Sequence, residues 1–342
     1  MTDPKKFAST STLHDKSALI KVAPKSTLHS RVHPLRSFAI PNGKCFVKRE
    51  DELGFGVSGN KARKYLSFLP YFLQQKPDEA IITGSAYSNH VLSISQMLRE
   101  KGVEPILFLL GNPESKVQGN LLFSMLVAQV KNIRWFSRDK WSEIDSIAAN
   151  YAKERKAANV KACVVPKGAN CAESLPGALT LALDILRNEE ECGFEFNHIL
   201  IDSGTGHSAS ALLLAFAYLG KKTHLHIVQV AGDKKEFEQT LAERKADFEG
   251  LVGSPLPSPT LYKLYTPSSA PAFGTVNAEI FNTVAEIARN EGFLTDPVFT
   301  AKLFYEGRKI LDREALEGNI LFIHSGGGLG LTGFQEQMSK TL

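Results

Sequence analysis

The sequence predicts an α/β fold: open, mostly parallel twisted sheets with helices on both faces. Three observations lead there. Short apolar runs alternate with segments of helical period from about residue 45 to residue 327. These runs are apolar throughout, the mark of strands covered on both faces. Several pass straight into glycine- or serine-rich turns, and such folds bind ligands beyond the carboxyl ends of their strands.

The elements follow in order. CFVKRE (45–50) reads as a strand and residues 60–74 as an amphipathic helix. AIITG (80–84) is a short buried strand, and HVLSISQMLREKG (90–102) a helix closed by Gly102. PILFLL (105–110) and GNLLFSMLVAQV (119–130) repeat the pair. ACVVP (162–166) is a strand, residues 174–190 a helix, and HILIDSG (198–204) a strand entering a glycine turn. Helix 208–220, strand THLHIVQVA (223–231), helix 277–291 and strand NILFIHSGG (319–327) complete the series. Residues 1–30 are rich in Ser, Thr and Lys and read as a loose N-terminal extension.

Bulk properties narrow the function. A chain of 342 residues allows about two domains at roughly 100–200 residues each. Its 43% hydrophobic residues suffice for a buried core. The net charge of +4 is dispersed, which argues against nucleic acid and suits a small acidic or phosphorylated ligand. Cys45, Cys163, Cys171 and Cys192 form no CxxC pair. His33, His198, His207, His224 and His226 lack metal-ligand spacing, so no metal is expected. The N-terminus has no apolar core that would mark a secretory signal, and no apolar run reaches the roughly 18 residues of a membrane helix. A cytoplasmic protein with reduced thiols is the expectation.

Four motifs carry polar chemistry. In VSGNKARKYL (57–66), Lys61 follows Ser-Gly-Asn at the start of a helix. It can be a solvated charge, a phosphate contact or an amine used as a reagent. SGTGHSAS (203–210) lies between a strand and an apolar helix. Its small residues and the helix N-terminus suit a phosphate, or simply make a tight capped turn. It is neither a Walker loop nor a dinucleotide GxGxxG. TGSAYSNH (83–90) places Ser88, Asn89 and His90 at another helix start, beyond what an N-cap needs. HSGGGLG (324–330) offers close backbone approach, and LTDPVFTAK (294–302) holds an Asp-Pro turn with Thr300 before a helix.

Taken together, and in this order along the chain, the motifs resemble one family. SGNKARK, the Gly-Ser-x-x-Ser-Asn-His loop, SGTG, LTDPV and IHSGG are similar to the pyridoxal-phosphate-dependent 1-aminocyclopropane-1-carboxylate deaminases and D-cysteine desulfhydrases. The resemblance spans roughly residues 30–335. It implies the two-domain fold of the tryptophan synthase β subunit (fold type II). The larger domain would hold residues 31–62 and 163–342, and the smaller one residues 63–162. It implies pyridoxal 5'-phosphate as cofactor, with Lys61 as its Schiff-base lysine and burial lowering the lysine pKa. Ser203, Gly204, Thr205, Gly206 and His207 would cradle the phosphate. Asn89 would bond the 3′ oxygen, and Thr300 or Ser325 would face the pyridine nitrogen. Ser88, Asn89 and His90 would meet the substrate, with Lys61 and Ser88 catalytic. A homodimer, common in this fold, is implied too.

The implied reaction is α,β-elimination on a small amino acid such as D-cysteine, giving a keto acid, ammonia and sulfide. His90 agrees with the desulfhydrase branch, since the ring-opening deaminases carry glutamine there. Thr300 agrees with that branch as well. Phe299 and Phe273 agree with neither branch, because both carry tyrosines there. A phenol donates, accepts or shuttles protons and phenylalanine does not. Cyclopropane ring opening is therefore not expected. Racemisation, serine or D-serine deamination, and cofactor binding with little turnover stay open beside elimination.

Overall fold

The structure, a computed structural model, describes residues 16–25 and 28–342. The chain opens with α1 (Lys16–Val22), β1 (Val32–Pro34), β2 (Gly43–Lys48) and α2 (Lys61–Gln74). It continues through β3 (Glu79–Ser85), α3 (Asn89–Glu100), β4 (Glu104–Leu110), α4 (Gly119–Val127), β5 (Ile133–Phe136), α5 (Ile144–Ala157) and β6 (Ala162–Val165). Then come α6 (Leu175–Cys192), β7 (His198–Ser203), α7 (His207–Tyr218), β8 (His224–Gln229), α8 (Lys234–Val252) and β9 (Tyr262–Tyr265). The last elements are α9 (Ala278–Glu291), α10 (Thr300–Arg313), β10 (Gly318–Ile323) and α11 (Gln335–Ser339).

Two sheets organise these elements. The larger runs β1-β2-β10-β7-β8-β9 and is parallel except for β1. The smaller runs β5-β4-β3-β6 and is parallel throughout. Side chains alternate across each strand, so an all-apolar strand feeds two cores. On β7, Ile199 and Ile201 join a core with α6, α7 and α8, while Leu200 joins the opposite core with Phe293, Leu303 and Phe304. On β3, Ala80 and Ile82 face α2 and α3, and Ile81 faces α5. Each fully buried Leu or Ile contributes roughly 1.5–3 kcal/mol. This two-sided burial is what the unbroken apolar runs predicted.

The strands the sequence did not reveal are β1, β5 and β9. Each lies at or beside a sheet edge, spans three or four residues, and is only partly buried. Nor did the sequence reveal α5, whose Ile144, Ile147, Ala148, Tyr151 and Ala152 form a stripe facing β3 and β4, or α8, which is dominated by charge. A capping box between Asp233 and Glu236 starts α8 instead. Two expectations change. The stretch expected as a loose extension contains α1, whose Leu19 is fully buried in the α6–α8 core; residues 1–15 and 26–27 lie outside the described residues. Ala18 and Val22 pack beside Leu19, but an apolar stripe of barely two turns is easily lost in a polar stretch. The division expected between residues 162 and 163 cuts β6, which pairs along its length with β3.

A buried ionic cluster ties the start of α2 to the larger sheet. Arg63 binds both oxygens of Glu50, at 2.6 and 2.7 Å, and Asp184 on α6 at 2.6 Å. The Lys48 amine meets Asp184 at 2.5 Å and also Asn188. Glu50 further accepts the Ser30 hydroxyl at 2.6 Å.

Candidate active site

Lys61 is the first residue of α2, and two glycines explain how it gets there. Gly59 adopts φ +54°, and a Cβ on it would collide with the Ser325 carbonyl. The Asn60 N–H donates to that carbonyl at 3.0 Å. Gly326, with φ +102°, packs against Gly59 on the same side. The SGN and SGG segments thus fit into each other and bring Lys61 to the carboxyl end of β10. Among the described residues the Lys61 amine has no hydrogen-bond partner. Burial lowers its pKa, opposed by the charges of Asp202 and Asp296.

Three other loops converge on Lys61. The first follows β3, where Ser88 caps α3 by accepting from the His90 and Val91 N–H groups at 3.2 and 3.3 Å. Its own hydroxyl hydrogen is left to donate. Asn89 accepts from Asn120 Nδ2 at 2.6 Å, which turns its amide nitrogen toward Gly327. His90 points inward and meets the Tyr65 hydroxyl at 2.8 Å. Burial, then Lys64 and Lys61, push its pKa well below the ordinary histidine range, so it is neutral.

The second loop follows β7. No acceptor among the described residues takes the N–H of Gly204, Thr205 or Gly206. The first N–H groups of α7 are free by helix geometry. The Ser203 hydroxyl is buried without a partner. The His207 side chain is engaged away from the loop. Its ring nitrogens meet Ser174 at 2.9 Å and Asn170 at 3.0 Å, so only its backbone N–H faces the loop. Lys64, one turn after Lys61, reaches Gly168 O at 2.6 Å, and Gly168 packs on Thr205. Burial and the nearby Lys61 lower the Lys64 pKa to about 7.

The third loop precedes α10. Asp296 accepts the N–H groups of Val298, Phe299 and Thr300 and the Thr300 hydroxyl, while its own N–H donates back to that hydroxyl at 2.8 Å. Thr300 is fully buried, so its hydroxyl serves this cap. Phe299 lies with its ring centroid 5.9 Å from the Lys61 amine. Phe273 packs edge to face against it at 5.8 Å. Lys302 holds the Phe273 loop by donating to Ala270 O at 2.6 Å. The structure therefore brings Lys61, Ser88, Asn89, Ser203–Gly206, Phe273, Phe299 and Ser325 together, and turns His207 and Thr300 aside.

Lys64, Asp202, Asn120 and Lys302 are the members sequence reasoning missed. Lys64 stands three residues beyond Lys61, the spacing that shares a helix face. Asp202 ends a strand just before the glycine loop, where a carboxylate is unusual company for a phosphate. Asn120 gave no signal at all.

Residues 28–326 match the pyridoxal-phosphate dependent enzyme family. The chain belongs to that family. It is 30% identical over 290 residues to a Thermotoga maritima protein provisionally named 1-aminocyclopropane-1-carboxylate deaminase, covering 84% of this chain and 89% of that one. It is 27% identical over 303 residues to a Yersinia enterocolitica D-cysteine desulfhydrase, covering 86% and 90%. A solved homologue of 1-aminocyclopropane-1-carboxylate deaminase superposes with a TM-score of 0.81 at 24% identity, over 95% and 98% of the chains. Escherichia coli diaminopropionate ammonia lyase superposes at 0.64 with 14% identity, over 96% and 93%. These two share the fold.

The fold is thus fold type II and the cofactor is pyridoxal phosphate. The residues present fit that group. Free N–H donors at Gly204–Gly206 and the unpartnered Ser203 hydroxyl suit an anion, and the Lys64 amine lies on Gly168, which packs on Thr205 of the same loop. An unpartnered lysine of lowered pKa stands beside it. Among the described residues no helix is long and apolar enough to cross a membrane.

Proposed function

We propose that this pyridoxal-phosphate enzyme catalyses α,β-elimination on a small amino acid whose β substituent leaves readily, as the thiol of D-cysteine does. The carrying observation is the wall formed by Phe299 and Phe273 beside Lys61. It offers no hydroxyl. A thiol, with pKa of about 8.5, departs as thiolate without an acid. A carbon leaving group in ring opening needs one.

The roles follow from positions. Bound pyridoxal phosphate supplies an electron sink that stabilises a carbanion at Cα. Lys61 carries it and then, as a neutral amine, takes the Cα proton. Burial favours that neutral form. Lys64, Ser203 and the Gly204–Gly206 amides hold the phosphate. The Asn89 amide nitrogen donates to the ring oxygen, with Asn120 fixing its orientation. The Ser88 hydroxyl and the Asn89 N–H, the first of α3, receive the substrate carboxylate. His90, neutral and held by Tyr65, backs this loop. The site lies between the two sheets, which we take as its two domains.

The test is a visible spectrum of the purified protein and of Lys61→Ala. A yellow band abolished by Lys61→Ala, followed by release of sulfide and pyruvate on adding D-cysteine, supports the reading. A yellow protein that releases neither overturns elimination on this substrate class. A colourless protein after incubation with pyridoxal phosphate overturns the assignment of Lys61.

A further inference from the structure

Asp202 is a buried acid that the chemistry so far does not use. It is 8% exposed, and its Oδ1 has no hydrogen-bond partner. Leaving a buried carboxylate oxygen unpaired costs free energy, so the position calls for an occupant. Asp202 stands two residues after Leu200 on β7 and so shares its face, the side on which α10 packs. Three groups face it there. Lys61 comes from the start of α2, Asp296 from the turn before α10, and the Ser325 hydroxyl from the end of β10.

The Ser325 hydroxyl bonds the carboxyl, yet Oδ1 stays without a partner, and the other two do not supply one. Asp296 spends both its oxygens capping α10. No oxygen of Asp202 comes within 4.0 Å of the Lys61 amine, although each group feels the other's charge. A gap therefore separates the acid from the lysine that carries the cofactor. On the cofactor's ring, the carbon bearing the aldehyde and the ring nitrogen are opposite each other. A ring anchored through Lys61 on one side directs its nitrogen away from that lysine. Of the two hydroxyls expected to face that nitrogen, Thr300 is turned into the Asp296 cap. Ser325 remains, and Asp202 lies beside it.

We propose that Asp202, with Ser325, is the acidic partner of the cofactor's ring nitrogen. The carboxyl gives its proton to the nitrogen, and the resulting carboxylate pairs with the protonated ring. No other bond changes. A carboxylate here keeps the ring cationic, which a hydroxyl alone does poorly, and so deepens the electron sink available to Lys61. The acid is suited to this exchange. Burial raises its pKa to about 6, with the Ser325 hydroxyl and Lys61 holding it from rising further.

This rests on the cofactor reading above, and the experiment separates the two. The full chain, stripped of cofactor, is titrated with pyridoxal phosphate and with 1-deazapyridoxal phosphate, in which carbon replaces the ring nitrogen. Wild type and Asp202→Asn are compared by absorbance, and borohydride fixes the bound ligand for mass spectrometry of Lys61. A charged hydrogen bond to the ring makes wild type prefer pyridoxal phosphate by roughly ten- to a hundredfold. Asp202→Asn should lose that preference while binding the deaza compound as before. Equal weakening of both ligands in the variant, or a wild-type preference below about threefold, overturns the proposal. Asp202→Ser replaces the asparagine variant if that one does not fold. If neither ligand is fixed on Lys61 in wild type, both readings fall together.

Discussion

Replacing Glu50 by glutamine should destabilise the protein by about 3–5 kcal/mol. Glu50 is completely buried, and both its oxygens are bonded to Arg63. The cluster around it balances two cations, Lys48 and Arg63, against two anions, Glu50 and Asp184. Glutamine keeps the shape and removes one anion, leaving an uncompensated positive charge out of water. That loss is a large part of the roughly 5–15 kcal/mol that holds a domain together. The assay is urea unfolding followed by circular dichroism. Glu52→Gln serves as the control, since its pair with Arg31 is solvent-exposed and worth at most about 1 kcal/mol. A Glu50→Gln loss below about 1 kcal/mol would refute the claim that charge balance fixes this helix start. The acid limb of stability should change as well. Burial alone would raise the Glu50 pKa, but Arg63 and Lys48 hold it below the ordinary range. Its contribution is therefore complete at neutral pH, above the unfolded value of about 4.3, and fades as pH falls through the lowered folded value. Glu50→Gln should flatten that limb.

Gly59→Ala should abolish fixation of pyridoxal phosphate while leaving far-ultraviolet dichroism intact, because its φ of +54° and the Ser325 carbonyl leave no room for Cβ. Unchanged uptake would show that the SGN–SGG contact does not place Lys61. Lys64→Met should weaken cofactor binding by about tenfold or more, read by absorbance titration, if its amine beside Gly168 meets the phosphate as proposed. Equal affinity would remove Lys64 from the cradle. Phe299→Tyr should raise elimination of D-serine by roughly tenfold or more and that of D-cysteine far less, because only hydroxide needs an acid to leave. An equal rise on both substrates would contradict the leaving-group argument.

Much of the fold was legible because burial on two faces writes itself as unbroken apolar runs. β3, β4, β7 and β10 carry that signature, and β2 and β8 carry it in part. β1, β5 and β9 do not, since an edge strand of three or four half-wet residues needs no pattern. The site was legible where glycine or an amide had to stand in one place, as at Gly59, Asn89 and Gly204. At His207 and Thr300 the segments are the expected ones, but the His207 ring is spent on Ser174 and Asn170 from a distant loop and the Thr300 hydroxyl on Asp296 in its own turn. Sequence fixes which residue starts a helix. It does not show which distant carbonyl or carboxylate that residue finds.

The four basic residues around the start of α2 make the same point energetically. Lys48, Arg63, Lys61 and Lys64 share one neighbourhood, and nothing in their spacing ranks them. Partners do. Arg63 has two carboxylates and keeps its charge. Lys48 has Asp184 in contact and Glu50 at 3.8 Å, so its acids oppose the effect of burial. Lys64 has only a carbonyl and falls to about 7. Lys61 has no hydrogen-bond partner among the described residues, and burial governs it. A buried cation given its own anion holds structure together, and removing the anion leaves a costly charge. A buried cation denied one holds its proton less firmly, which is what a nucleophile and base needs. One helix turn thus carries both arrangements, with Arg63 anchoring α2 by its two carboxylates while Lys61, two residues earlier, is left without an anion of its own, as the proposed cofactor-bearing lysine requires.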